Sequence, residues 1–215
     1  MLLYYITGRS QFPGDEATRR RQLLENIAQA ARSGVDYVQL REKDLSTHDL
    51  ETLAREVVAI LHELRTENQK LKTGFLINSR TDVALASGAD GVHLRSDDIT
   101  PAEARRIWTQ SGAVVPGTVG VSCHTPVEVA DAAAQGADYV VFGPVFEKEF
   151  AAPAGLSALR EACKQNLPVF ALGGVTTANA ESCIQAGAAG VAGIRLFQTS
   201  NLREVVAALR RPGAQ

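Results

Sequence analysis

Gln39, Arg41 and Lys43 stand at alternate positions where the apolar run Tyr37 to Leu40 ends. In extended backbone the i, i+2, i+4 spacing turns all three to one side. Two cations on one wall suit an anionic substrate; solvated charges paired with Glu42 or Asp44 are the plainer alternative. His124 follows a second run, Thr118 to Ser122, and is the strand-end histidine suited to moving a proton near neutral pH. Ser122 shares its face and is the second candidate catalytic residue, whereas Cys123 between them should turn away, which argues against a Cys–His nucleophile pair. A third group is bare backbone. Gly173-Gly174 before Thr176-Thr177, together with Gly193 and Ile194, offers N–H groups and a helix start suited to a phosphate, with tight turns as the alternative. Arg195 adds a cation beside the last of these. Asn78 with Arg80, and Gly143 with Pro144, end two further runs. Asp97 and Asp98 could hold Mg2+ or favour the dipole of a helix starting near Thr100-Pro101, and the helix-start reading is preferred. His93 is expected to line a structural core, His48 and His62 to be solvated beside a helix, and no cluster has zinc spacing.

The elements that must position these groups are betrayed by a weak repeat. Ser33-Gly-Val-Asp-Tyr-Val-Gln-Leu40, Ser87-Gly-Ala-Asp-Gly-Val-His-Leu94, Gln135-Gly-Ala-Asp-Tyr-Val-Val-Phe142 and Ala186-Gly-Ala-Ala-Gly-Val-Ala-Gly193 place their glycines 54, 48 and 51 residues apart. That is twice the roughly 25 residues of one strand, one helix and two short loops, so each copy marks every second βα unit. The glycine reads as a left-handed helix terminator, and the apolar residues after it as a strand. Strands are expected at 2–6, 37–40, 75–78, 91–94, 118–122, 139–142, 169–172 and 191–194. Between them lie helical stretches such as Leu50, Leu53, Val57, Ile60, Leu61, Leu64, with start signals at Ser46 or Thr47, Thr100-Pro101-Ala-Glu103 and Thr125-Pro126-Val-Glu128. Eight even units predict one (β/α)8 TIM barrel over residues 1–215, with the groups above at the carboxyl ends of its strands. A doubly wound open sheet fits less well, since the first βα turn has no GxGxxG.

Composition narrows the partners. The chain has 215 residues, is 45% hydrophobic and 21% charged, and sets 22 Lys and Arg against 24 Asp and Glu for a net charge of −2. It can bury a core and has no cationic excess for nucleic acid. Three widely spaced cysteines suit free thiols in the cytoplasm, and no apolar run approaches a membrane span or a signal segment. Oligomeric state is open, a homo-oligomer included. Arg105-Arg106 and Arg210-Arg211 read as solvated helix faces.

In order along the chain, Val38-Gln-Leu-Arg-Glu-Lys43, Ile77-Asn-Ser-Arg80 with Asp82-Val-Ala-Leu85, Gly88-Ala-Asp-Gly-Val-His-Leu94, Gly120-Val-Ser-Cys-His-Thr125, Ala137-Asp-Tyr-Val-Val-Phe-Gly-Pro144 and Ala171-Leu-Gly-Gly174 resemble the thiamin phosphate synthase and thiazole tautomerase family. The resemblance implies a (β/α)8 barrel acting on a phosphorylated thiazole. It also shows departures from the synthase pattern. Ser79 stands where the synthase has a metal-binding Asp, and Arg95-Ser96 where it has Gly-Gln, which leaves Asp98 as the only matched metal carboxylate. Lys148 to Ala151 replaces a Thr-x-Thr-Lys loop. These departures resemble the tautomerase branch, which lacks the metal and pyrophosphate machinery but keeps the strand-5 histidine. The implied main reading is a metal-independent thiazole tautomerase with no cofactor, in which His124 carries the proton, Gly173, Gly174, Gly193 and Ile194 cradle phosphate, and Arg41 or Lys43 clamps a carboxylate. The alternative is an Mg2+-dependent synthase joining a pyrimidine pyrophosphate to the thiazole phosphate. A barrel that binds a phosphorylated ligand without turnover is the third reading.

Overall fold

A computed structural model describes residues 1–147 and 152–211. Strands β1 (Leu2–Ile6), β2 (Tyr37–Leu40), β3 (Gly74–Asn78), β4 (Gly91–Leu94), β5 (Thr118–Cys123), β6 (Tyr139–Phe142), β7 (Val169–Ala171) and β8 (Gly190–Gly193) alternate with helices α1 (Glu16–Arg32), α2 (Thr47–Glu67), α3 (Thr81–Ser87), α4 (Pro101–Gln110), α5 (Pro126–Ala134), α6 (Gly155–Ala162), α7 (Ala180–Gln185) and α8 (Leu202–Arg210). Every strand pairs in parallel with the next, and β8 pairs back onto β1 with Leu2 opposite Gly190. The chain is therefore a (β/α)8 TIM barrel, as the repeat predicts. Two strands end earlier than expected. Leu172 turns its carbonyl to the Val145 amide of the β6–α6 connection, and Ile194 opens a turn in which its carbonyl accepts the Phe197 and Gln198 amides.

The repeat has a physical job at the amino ends of the strands. Gly34, Gly88, Gly136 and Gly187 take φ of 90°, 76°, 79° and 105°, the left-handed conformation that ends α1, α3, α5 and α7. Two residues later, Asp36, Asp90 and Asp138 accept the backbone amides of Leu3, Phe75 and Val119 on the neighbouring strand at 2.7, 2.8 and 2.7 Å. Each also meets an arginine: Arg210, Arg65 and Arg105 respectively. Arg105 and Arg210, expected to be merely solvated, thus tie their helices to this rim. The fourth copy has Ala189 at the same place.

Strand alternation builds two layers. Inward positions form a small core of Tyr4, Ile6, Leu76, Tyr139, Val141, Phe170 and Ala192. Outward positions such as Leu3, Tyr5, Val38, Phe75, Val92, Cys123 and Phe142 pack under the helices. Cys123 faces the helix layer, so it is no partner for His124. Gly120 must lack a side chain, because a Cβ there would lie 2.1 Å from Cζ of Tyr139. Ser46, Thr100 and Thr125 cap α2, α4 and α5, and Thr100 exchanges bonds with Glu103 in a capping box. The expectation that Asp97 and Asp98 begin the fourth helix fails here. Thr100 takes the capping role, and both aspartates turn to Arg95.

Candidate active site

The carboxyl ends of the strands open into one mouth of about 1380 Å³. It gathers Gln39, Arg41, Lys43, Asn78, His93, Arg95, Asp97, Ser122, His124, Gly173, Gly174, Gly193, Ile194 and Arg195. The predicted substrate-binding groups therefore share one cavity, with Gly143 reaching it through His124. Lys148 to Ala151 lie outside the described residues.

His124 leaves β5 just before α5. Its amide donates to Glu128 Oε2 at 2.6 Å, and its ring Nδ1 lies 2.6 Å from the carbonyl oxygen of Gly143. A carbonyl only accepts, so Nδ1 carries hydrogen and the lone pair of the neutral ring is on Nε2. Nε2 has no hydrogen-bond partner among the described residues.

Ser122 faces the same mouth, but its hydroxyl pairs with His93 rather than His124. His93 Nε2 is 2.9 Å from Ser122 Oγ, and His93 Nδ1 is 3.3 Å from both Tyr4 and Tyr139 hydroxyls. Tyr4 and Tyr139 are 3.0 Å apart, and Tyr4 donates to Gln39 Oε1 at 3.2 Å. Gln39 in turn donates to Asn78 Oδ1 at 2.8 Å. One arrangement supplies a hydrogen to each of these contacts. Tyr4 gives its hydrogen to Gln39, Tyr139 to Tyr4, His93 Nδ1–H to the two phenol oxygens, and Ser122 to His93 Nε2. Ser122 then presents only lone pairs to the mouth. Burial pushes the His93 pKa down to about 3 and both tyrosines upward, so this floor stays neutral. The sequence placed His93 in the lining but gave no hint of the tyrosine pair. Tyr4 and Tyr5 are adjacent aromatics, and only the strand register shows which one points in.

The basic wall is held by a second network that sequence reading missed. Glu42, between Arg41 and Lys43, turns away and is buried against Arg9. Its carboxylate accepts Thr7 Oγ1 at 2.6 Å, the Arg9 amide at 3.0 Å and Arg9 Nη1 at 3.2 Å. Arg9 also forks onto Asp44 at 2.7 and 2.9 Å and meets Glu16 at 2.6 Å. Thus Arg9, not Arg41 or Lys43, consumes the neighbouring carboxylates. Burial lowers the Arg41 pKa, and the charge of Arg41, more than desolvation, lowers that of Lys43.

The glycine turns pack closely. A Cβ on Gly173 (φ +93°) would lie 2.6 Å from Pro144 Cα, and one on Gly174 (φ +66°) 2.7 Å from Phe146 Cβ. The regular helix after them begins only at Ala180, a correction to the expected start at Thr176-Thr177. Thr176 and Asn179 satisfy each other first: the Thr176 amide donates to Asn179 Oδ1 at 2.7 Å, and the Asn179 amide to Thr176 Oγ1 at 3.3 Å. Arg195 is exposed at the rim, and Arg80 turns outward to Asp82 and Thr47.

Mg2+ is the ion the synthase pattern implies, and the donor set does not fit it. Asp98 accepts the Arg95 amide at 2.7 Å and the Arg95 guanidinium at 3.2 Å. Among the described residues no three carboxylate, imidazole or thiol groups converge on a cation position. Ser79 sits at φ 62°, where Asn and Asp are commoner than Ser.

Residues 3–197 match the family described as thiamine monophosphate synthase. The chain belongs to the thiamine monophosphate synthase family. Within that family it is 42% identical over 195 residues to a protein of Geobacter sulfurreducens named as a putative thiamine-phosphate synthase, covering 88% of this chain and 83% of that one. It is likewise 42% identical over 197 residues to the thiamine-phosphate synthase of Methanoculleus marisnigri, covering 88% and 84%. Among solved structures, thiamine phosphate pyrophosphorylase from Pyrococcus furiosus superposes with a TM-score of 0.80 at 28% identity over 97% of this chain and 93% of that chain. Among the described residues no helix is long and apolar enough to cross a membrane.

Proposed function

We propose that this member of the thiamine monophosphate synthase family catalyses a proton shift on a phosphorylated thiazole carboxylate, as a metal-independent tautomerase. The observation that carries the reading is the 2.6 Å contact from His124 Nδ1 to the Gly143 carbonyl, which leaves Nε2 as the base in the mouth. In the reaction Nε2 takes a proton from ring carbon, the freed electron pair closes the aromatic system, and the exocyclic carbon receives a proton in return. One C–H bond breaks, another forms, and no electron leaves the substrate. The Gly143 carbonyl dipole favours the transient imidazolium. Arg41 and Lys43 clamp the carboxylate, and the amides around Gly173, Gly174, Gly193 and Ile194, flanked by Arg195, hold the phosphate. Gln39, Asn78 and Ser122 orient the ring from below. The working compartment is the cytoplasm.

The names of the relatives favour a second reading, a synthase that joins a pyrimidine pyrophosphate to the thiazole phosphate. That transfer calls for Mg2+ to hold the leaving pyrophosphate, and the Asp98–Arg95 pairing weighs against it. Two assays separate the readings. Tautomer conversion, followed by ultraviolet absorbance with a chelator present, is expected to proceed. Thiamin phosphate formation from both precursors with Mg2+ is expected to be negligible, and robust formation would overturn the proposal. A protein that binds the thiazole phosphate but turns over neither substrate would be a binding barrel.

A further inference from the structure

We propose that the Arg95 guanidinium is the resident cation of this mouth: it engages Asp98, the one carboxylate matched to a metal ligand, and reaches Asp97, so the anionic ligand is held without a metal. The inference goes beyond the proton-shift reading and does not depend on it.

Arg95 Nε is 3.3 Å from Asp97 Oδ1 and 3.2 Å from Asp98 Oδ1, and Nη2 is also 3.2 Å from Asp98 Oδ1. The other Asp98 oxygen takes the Arg95 amide at 2.7 Å. Both oxygens of the carboxylate best placed for a metal are therefore occupied by one residue. A dication arriving here would also meet Lys43 and Arg41, the former close enough to Arg95 to feel its charge. The Arg95–Asp97 pair does little for folding. Its side chains are 49% and 71% exposed, and ion pairs so open to solvent contribute little stability. What the guanidinium does instead is cancel one of the two negative charges and hold both carboxylates to itself, which lessens their repulsion of an anionic substrate. Mg2+ commonly performs that task with one or two carboxylates and the ligand's own oxygens. A side chain doing it permanently removes any dependence on free metal and adds donors that a carboxylate or phosphate can use.

Manganese serves as the probe, its free aquo ion being read by electron paramagnetic resonance while the protein is titrated in without substrate. Wild type is expected to leave the millimolar signal unchanged. Arg95→Gln, which keeps the fold because the residue is exposed, is expected to take up the ion at least ten-fold more tightly. Asp98→Asn in that background should abolish the uptake, and Arg95→Lys should remain blind to the ion. Wild type binding manganese as tightly as Arg95→Gln would overturn the proposal, and so would an Arg95→Gln protein that binds none. Because no turnover is read, this result is separate from success or failure of the tautomer assay.

Discussion

Thr7 Oγ1 donates to Glu42 Oε1 at 2.6 Å and accepts the Arg41 amide at 2.9 Å, so one hydroxyl couples a buried carboxylate to the residue that enters the mouth. Glu42 and Arg9 are 3% and 6% exposed, and their attraction draws Glu42 outward. In extended chain the residues on either side must then point inward. The buried ion pair and the cations of the mouth, half-buried Arg41 and exposed Lys43, are thus two faces of one strand end.

Replacing Thr7 by Val should loosen that coupling without removing a group that meets substrate. A hydrogen bond to a charged partner contributes about 1.5–3 kcal/mol. The expected outcome is a KM for the anionic substrate raised roughly ten-fold, kcat changed less than two-fold, and full recovery in Thr7→Ser. Steady-state kinetics on the three proteins check this. An unchanged KM in the Val variant would show that the hydroxyl plays no orienting part.

The aspartates of the repeat predict a stability pattern. Asp138 accepts the Val119 amide at 2.7 Å and meets Arg105 at 2.6 Å, the latter pair being exposed enough to contribute little. Asp138→Ala leaves a buried amide without its acceptor and should lower unfolding free energy by about 1–3 kcal/mol. Asp138→Asn keeps an acceptor and should lose about half as much. Urea unfolding of the two variants decides it, and an Ala variant as stable as wild type would refute the role given to the repeat.

His93 gives a pH dependence with a definite sign. Burial holds it neutral, with a pKa of about 3 in the folded chain against about 6.5 when unfolded. Above pH 6.5 neither state is protonated and the stabilising contribution is complete. As pH falls toward 3 only the unfolded chain takes up the proton, and stability is lost. Between pH 7 and pH 4.5 this one group should remove roughly 2–3 kcal/mol. Comparing that loss in wild type and His93→Gln cancels the carboxylates common to both. The variant should lose less, and equal losses would contradict the neutral, buried histidine.

The architecture was legible because the glycines of the repeat are chain-local features: each ends a helix within a few residues of where it stands. Gln39, Arg41 and Lys43, and the divergence of Cys123 from His124, were legible for the same reason, since strand parity relates near neighbours. Arg9 and Glu42 are 33 residues apart, and Tyr4 and Tyr139 are 135 apart. No local pattern distinguishes such partners from surface charge or ordinary core aromatics. Arg95 is the instructive case. Its spacing of two and three residues from Asp97 and Asp98 carried the pairing, and a reading of those aspartates as a helix start overlooked it.

The central claim is that His124 moves the proton while other groups hold the ligand. Its most direct measurement is paired kinetics and calorimetry on His124→Gln. Loss of general acid–base catalysis should lower kcat for tautomer conversion about 10²–10⁴-fold, with the Kd for the aromatic thiazole carboxylate phosphate changed less than three-fold. Conversion at the wild-type rate in that variant would contradict the account.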